Sequence, residues 1–498
     1  MVFANDNRPL DALLGDAARS APDRPAIVTA DRTVTFAELD ATATAVAAGL
    51  AAGTEPGDVV ALVSTLDPEF AAAYYGIARA RCVIAIVNPL LRGPALRHVL
   101  TLSGAKVLIS SPEIAERLDQ EGTPDHVRRR IVLGTEAFQE LLGEGPQAAG
   151  RSAYQPDDVA CIQFTSGTTG PAKAVQLTHR NLVVNAAQIA EAHGLDGDSR
   201  MLNHLPNFHP MHLNAGVAAA AGQVLCAAPD SAAALAMANE QGASHYYSLP
   251  VRLIRLAEDP RLPGLKLTTV RGIMSGGTGL PTAAAAALSA HFGIPVAQGY
   301  GLAETSPLTH SDTLSGPVHG SVGKVVGGGT ECRIVGVDSR EPLAAGEKGE
   351  VLVRGPQLMK GYLGLPSPLD EEGWFATGDL GYQDEEGRLF LVDRLKDVFK
   401  HDNWLVSPAE IERVLARHAA VREGVVYDFP HAESGSVAHA LVVRAEGADA
   451  SAEEIRSFVN SQVPYYEHIE RLVFVDAVPR SHNGKISRRE LREAELRG

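Results

Sequence analysis

Residues 165–173, Thr-Ser-Gly-Thr-Thr-Gly-Pro-Ala-Lys, pack four hydroxyls, two glycines and a lysine into nine positions. Glycine lets backbone N–H groups approach an anion closely, the hydroxyls of Thr165, Ser166, Thr168 and Thr169 add donors, and Lys173 supplies a point charge. Together with Gly167 these residues read as a loop that grips the phosphates of a nucleoside triphosphate. The Gly-x-x-x-x-Gly-Lys-Ser/Thr loop of kinases and GTPases is excluded, because Pro171 and Ala172 separate Gly170 from Lys173 and no hydroxyl follows the lysine. The plain alternative is a Gly/Thr surface turn.

Three later segments argue against a simple turn. Tyr300-Gly301-Leu302-Ala303-Glu304-Thr305 follows an apolar run, Thr377-Gly378-Asp379-Leu380 follows Trp374-Phe375, and Asn483-Gly484-Lys485-Ile486 lies near the C-terminus. In this order the segments resemble the adenylate-forming superfamily, which includes acyl-CoA ligases, beetle luciferases and the adenylation domains of peptide synthetases. Val34-Thr35-Phe36-Ala37-Glu38-Leu39, Gly349-Glu350-Val351, Gly361-Tyr362 and the run Gly387–Asp397 match further blocks, so the resemblance covers almost the whole chain.

The resemblance implies activation of a carboxylate by ATP, giving an acyl-adenylate and pyrophosphate, then attack by the thiol of coenzyme A. A carboxylate oxygen must reach a phosphorus although both partners are negative, so positive charge has to be held between them. Carried over from the family, Lys485 bridges the substrate carboxylate and the α-phosphate. Lys173 and the loop hydroxyls hold the β- and γ-phosphates, Glu304 is the Mg2+ ligand, and Thr305 touches the α-phosphate. Tyr300, beside Gly301, lies against the adenine. Asp379 and Arg394 clamp the ribose hydroxyls, a plain interdomain ion pair being the alternative for Arg394.

The same resemblance places a hinge at Lys396, about which a lid rotates so that one site serves two steps. His209, in Pro206-Asn207-Phe208-His209, gates the acyl pocket, unless it is only a packed loop histidine. Ser275-Gly276-Gly277-Thr278-Gly279 has almost no side-chain volume and leaves room for a wide acid. No arginine or aspartate stands out as a partner for an amino-acid substrate, so the expected substrate is a bulky apolar acid of secondary metabolism.

Departures from the family pattern bear on the thiol step. Lys400-His401-Asp402-Asn403-Trp404 stands where Lys-x-x-Gly is common, so Asn403 and Trp404 are expected to reshape the thiol passage. Asn483, Ala174 and Arg81 replace a usual serine and two glycines. A specialist that thiolates a preformed acyl-adenylate supplied by a partner enzyme, and an adenylating enzyme that loads a carrier protein in trans, therefore remain open, as does a luciferase-like oxygenase. A non-catalytic nucleotide-binding module is disfavoured by the presence of Lys173, Glu304, Asp379 and Lys485.

The elements that must position these groups follow an α/β rhythm. Val59–Val63, 83–87 and 106–109 read as buried strands, with helices over 70–81 and 93–103, which implies largely parallel sheets. From Cys332 the texture shifts to short strands punctuated by Gly and Pro, a β-rich subdomain. Beyond the hinge, helices at 408–418 and 453–463 and strands at 425–427 and 440–443 describe a small α+β lid. The expected organisation is an AMP-binding domain over residues 1–395 and a mobile lid over 396–498.

The 498 residues are 45% hydrophobic with a formal charge of −16. That balance suits a multidomain globular enzyme and repels nucleic acid. No membrane span or signal peptide is legible, which makes the cytoplasm the expected compartment. Cys82, Cys161, Cys226 and Cys332 are widely scattered, so buried free thiols are expected rather than a disulfide framework or a metal cluster.

Overall fold

The computed structural model describes residues 7–497 apart from 65, 144–153, 166–171, 205–209, 229, 403 and 481–485. The chain groups into two compact units: Met1–Cys332 with Val353–Phe375, and Arg333–Leu352 with Ala376–Gly498.

The first unit is built on two sheets with parallel cores. In one, Val159–Thr165, Val83–Ile86, Val59–Val63, Val107–Ser110 and Arg129–Val132 run parallel in that spatial order; Lys173–Thr178 pairs antiparallel with Val159–Thr165, and Gly361–Tyr362 pairs antiparallel with Lys173–Thr178 at the edge. Val60, Ala61, Leu62 and Val63 are fully buried, as the unbroken apolar run predicts for a strand covered on both faces. The second sheet holds Val296–Gly301, Gly272–Ser275, His245–Ser248, Arg200–Asn203, Gly222–Leu225 and Pro25–Val28 in parallel order, with antiparallel strands at both edges. Helices at Glu69–Arg79 and Gly93–Ser103 bear out the expected α/β alternation.

Three cysteines, Cys82, Cys161 and Cys226, are buried and free as expected, but Cys332 is partly exposed. It lies at the surface-facing start of the strand Glu331–Val335, whose own burial begins at Ile334.

The second unit carries the β-rich segment and the C-terminal region. Most of a four-stranded sheet belongs to it, including the antiparallel pair Phe375–Gln383 and Leu389–Arg394. A five-stranded sheet is formed around the long hairpin Val421–His431 and Gly435–Arg444, with Ile469–Phe474 parallel to the latter. Helices Pro408–Leu415 and Ala452–Asn460 pack on this sheet through Ile411, Leu415, Ile455 and Val459. Both end before the positions expected from the sequence. The first gives way to a turn at His418, whose backbone N–H donates to Leu415 O.

Asp67 introduces the helix Glu69–Arg79, its Oδ1 accepting from the Glu69 N–H at 2.9 Å. Burial, then the neighbouring Glu69 carboxylate, push Asp67 up to about 7. The folded chain therefore keeps a proton that the unfolded chain releases near 3.8, so stability falls as pH rises through the window between these values and is level above it. Asp67→Asn retains the acceptor and cannot ionise. We expect it to leave the urea midpoint unchanged at pH 4 and to raise it at pH 8.

Candidate active site

In the first unit the two residues that flank the phosphate loop belong to an antiparallel strand pair. Thr165 closes the strand Val159–Thr165, Lys173 opens Lys173–Thr178, and the two are direct cross-strand partners. Ser166, Gly167, Thr168 and Thr169, which lie between them, fall outside the described residues, as do His209, Asn403 and Lys485. Lys173 is exposed, and its Nζ lies 4.7 Å from the centroid of the Tyr362 ring. The Tyr362 hydroxyl donates to Glu304 Oε1 at 2.8 Å. Burial, then the Glu304 charge, push the phenol well above its ordinary range, so it is held as a neutral donor. A cation and a carboxylate thus meet one tyrosine, the cation at its ring and the carboxylate at its hydroxyl.

Buried amides hold the supports of that cluster in place. Helix His179–Ala192 starts at a reciprocal cap between Thr178 and Asn181, immediately after the strand of Lys173. From this helix Asn185, fully buried, donates to Leu308 O at 2.8 Å and accepts from Leu308 N–H at 3.1 Å. Gln188, also fully buried, donates to Gly327 O and Thr330 Oγ1, and Gln357 donates to the same threonine hydroxyl. Neither amide can go unpaired without a large desolvation cost. They therefore locate the chain that follows the Glu304 turn and, through the shared Thr330 hydroxyl, the segment just ahead of Tyr362.

Tyr300 and Gly301 end the strand Val296–Gly301, and Ala303–Thr305 forms a single 3-10 turn that presents Glu304. Tyr300 is buried, with its ring 5.9 Å from that of His310. A Cβ on Gly301 would lie 1.7 Å from Pro307 O, so only glycine fits there. The Thr305 hydroxyl donates to the carbonyls of Leu302 and Pro307 and accepts from the Leu302 N–H, all within its own turn. Gly276, Gly277 and Thr278 form the bend after Gly272–Ser275. An added Cβ at Gly276 would stand 3.4 Å from Gly299 O, which sets the bend against the strand of Tyr300. Gly277 has φ +95°, a left-handed conformation costly for other residues, and Thr278 is exposed. Asn203, Ser248, Ser275 and Tyr300 all lie at the carboxyl ends of adjacent parallel strands. Ligands of open α/β sheets bind at that edge.

In the second unit Asp379 and Arg394 are cross-strand partners, with Arg394 Nε 2.7 Å from Asp379 Oδ1. The carboxylate is buried and the guanidinium half exposed. Lys396 is exposed in the turn that follows, where Asp397 and Val398 N–H both donate to Arg394 O. Trp404 starts the second strand of the short hairpin Phe399–His401 and Trp404–Val406; its ring stacks on Tyr466 at 5.1 Å and 10°.

The family model of AMP-binding enzymes matches residues 14–363, and that of the AMP-binding enzyme C-terminal domain matches residues 410–485. The chain belongs to the AMP-binding enzyme family. The adenylate-forming resemblance and the α/β fold expected from it are thereby borne out, as is the class of ATP-dependent acid–thiol ligase. Similar proteins include 4-coumarate–CoA ligase 3 of Oryza sativa subsp. japonica, 32% identical, the match covering 92% of this chain and 86% of the relative. 4-Coumarate–CoA ligase 1 of Petroselinum crispum is 31% identical over 92% of this chain and 89% of its own. Among solved structures, ATP-bound MatB from Rhodopseudomonas palustris superposes with a TM-score of 0.89 at 28% identity, covering 98% of this chain and 99% of that one. The o-succinylbenzoate CoA synthetase of Bacillus subtilis in complex with the acyl-adenylate intermediate gives 0.84 at 27% identity, with 98% of each chain covered.

Two residues of this AMP-binding enzyme carry contacts that motif reading did not single out. Tyr362 was visible only as part of a matching block. Arg488, in the C-terminal helix Arg488–Arg497, donates from Nη2 to both oxygens of Glu412 at 2.9 and 3.0 Å and from Nε to Val426 O, and stands 3.7 Å from Asp397. Burial pushes Glu412 up and Arg488 opposes it. With Ile486 and Leu491 packed on Val425 and Tyr427, the arginine anchors the chain on the C-terminal side of Lys485. Arg488→Met leaves Glu412 buried without its cation and should destabilise the second unit by about 3 kcal/mol in chemical denaturation. Adding Glu412→Gln should recover part of that loss.

Proposed function

We propose that this chain is an acyl-CoA ligase for bulky, apolar, aromatic-type carboxylic acids, acting in the cytoplasm in secondary metabolism. The observation that carries the reading is the contact of both Lys173 and Glu304 with Tyr362, in an AMP-binding enzyme. The low side-chain volume of residues 275–279 and the named activity of the 4-coumarate–CoA ligases support an extended planar acid.

In the first step a substrate carboxylate oxygen attacks the α-phosphorus of ATP; the bond from that phosphorus to the bridging oxygen breaks, and pyrophosphate leaves. Lys485 lies against both anions and offsets their repulsion. Lys173 and the hydroxyls of Thr165, Ser166, Thr168 and Thr169 bind the departing phosphates. Tyr300 faces the adenine, while Asp379 accepts from the ribose hydroxyls and Arg394 donates to them. Contact of Thr305 with the α-phosphate requires its hydroxyl to turn away from Pro307 O.

The residues present fit Mg2+. Glu304 offers one hard carboxylate with a single oxygen tied to Tyr362, and among the described residues no group of three or more His, Cys, Asp and Glu could cage a metal by itself. That donor set matches a cation carried mainly by phosphate oxygens and water, whose charge neutralises the polyphosphate when bound.

In the second step the sulfur of coenzyme A attacks the acyl carbon, the bond to the AMP oxygen breaks, and AMP leaves. Residues 396–498 act as a lid hinged at Lys396 between the steps, with Lys485 serving the first step and Asn403 and Trp404 the second. His209 gates the acyl pocket.

Carboxylate-dependent exchange of labelled pyrophosphate into ATP, run beside thioester formation across a panel of cinnamic, benzoic and aliphatic acids, tests this reading. We expect exchange and thioester formation with planar aromatic acids, and loss of exchange by at least about a hundredfold in Lys485→Ala. Exchange without thioester would assign the acceptor role to a carrier protein, and thioester formation only from a synthetic acyl-adenylate would make the chain a thiolation specialist.

A further inference from the structure

We propose that Tyr362 is a positioning residue that sets the place of the Glu304 carboxylate relative to the Lys173 ammonium; this rests on the assignment of those two groups to the cation and the phosphates.

A glutamate on a three-residue turn and a lysine at the mouth of a loop both have rotamer freedom that would have to be lost on binding ATP. Tyr362 removes much of it beforehand. Its hydroxyl occupies Glu304 Oε1 at 2.8 Å and leaves Oε2 for a cation, while its ring face holds Lys173 Nζ at 4.7 Å from the centroid. The backbone around it stitches the two supports together. Met359 N–H donates to Glu304 O at 2.8 Å, Lys360 N–H to Gln176 O at 2.9 Å and Leu363 N–H to Ala174 O at 2.8 Å. Tyr362 itself pairs across the sheet with Val175, two positions from Lys173. One short segment thus touches the turn of Glu304 on one side and the strand of Lys173 on the other. The ring face and the hydroxyl of a single tyrosine extend that stitch to the side chains.

The two roles separate by substitution. Tyr362→Phe keeps the ring and the sheet pairing and removes the donor; Tyr362→Leu removes both. Calorimetric titration of ATP into the full-length protein, with and without Mg2+, reads the cation's contribution without turnover. We expect Tyr362→Phe to lose about tenfold of the affinity that Mg2+ adds, with metal-free ATP binding and the thermal midpoint close to those of the parent protein. Tyr362→Leu should in addition weaken metal-free ATP binding several-fold. Glu304→Gln is the reference. If it abolishes the Mg2+ effect while Tyr362→Phe leaves that effect intact, the positioning role is overturned and the assignment of Glu304 stands. If Glu304→Gln leaves the effect intact, the assignment of Glu304 fails and the proposal falls with it.

Discussion

Two buried amides constrain the catalytic half of the first unit. Asn185 and Gln188 are fully buried on one helix and spend their hydrogen bonds on Leu308, Gly327 and Thr330, distant in sequence from that helix. An amide taken out of water must be paired. The pairing requirement therefore acts as a positional rule: the strand after the Glu304 turn and the segment leading to Tyr362 can occupy only the places where these donors and acceptors are met. The helix starts where the strand of Lys173 ends, so the same rule links the lysine to the carboxylate.

Electrostatics follows from that placement. The charged groups of the two units are held in different ways: Asp379 is buried against half-exposed Arg394, whereas Lys173 is exposed and kept near Glu304 through an aromatic ring. The ring face holds the ammonium by a cation–π contact while the hydroxyl of the same tyrosine holds the carboxylate. In the second unit Arg488 performs a structural version of the same task, satisfying buried Glu412 and fixing the chain that follows Lys485.

Most of the framework was legible because its signals are local. Short β-branched apolar runs such as Val59–Val63 fit strands covered on both faces, and the block around Thr35 and Glu38 proves to be a capping box opening the helix Phe36–Ala51, a pattern carried by neighbouring residues alone. Helix ends in the C-terminal region were less legible, since the helix at Pro408 stops at Leu415 where a turn competes with it. The substitution of Arg81 for a common glycine looked like a departure. In the fold Arg81 takes φ +64°, a conformation that favours glycine, and its guanidinium lies over Tyr154 at 3.8 Å with Asp158 at 3.7 Å, so side-chain contacts offset the backbone strain.

By itself the sequence determined the family and the α/β class, because glycine, hydroxyl, lysine and carboxylate residues in fixed local order carry that information along the chain. Tertiary structure alone decided how those groups are held. Tyr362 is 58 positions from Glu304 yet donates to it, and Arg488 is 76 positions from Glu412. Neither contact has a local signature. Each exists because sheet pairing or core packing brings two segments within hydrogen-bond distance, and hydrogen bonds of that kind are specified by the whole fold and not by any window of it.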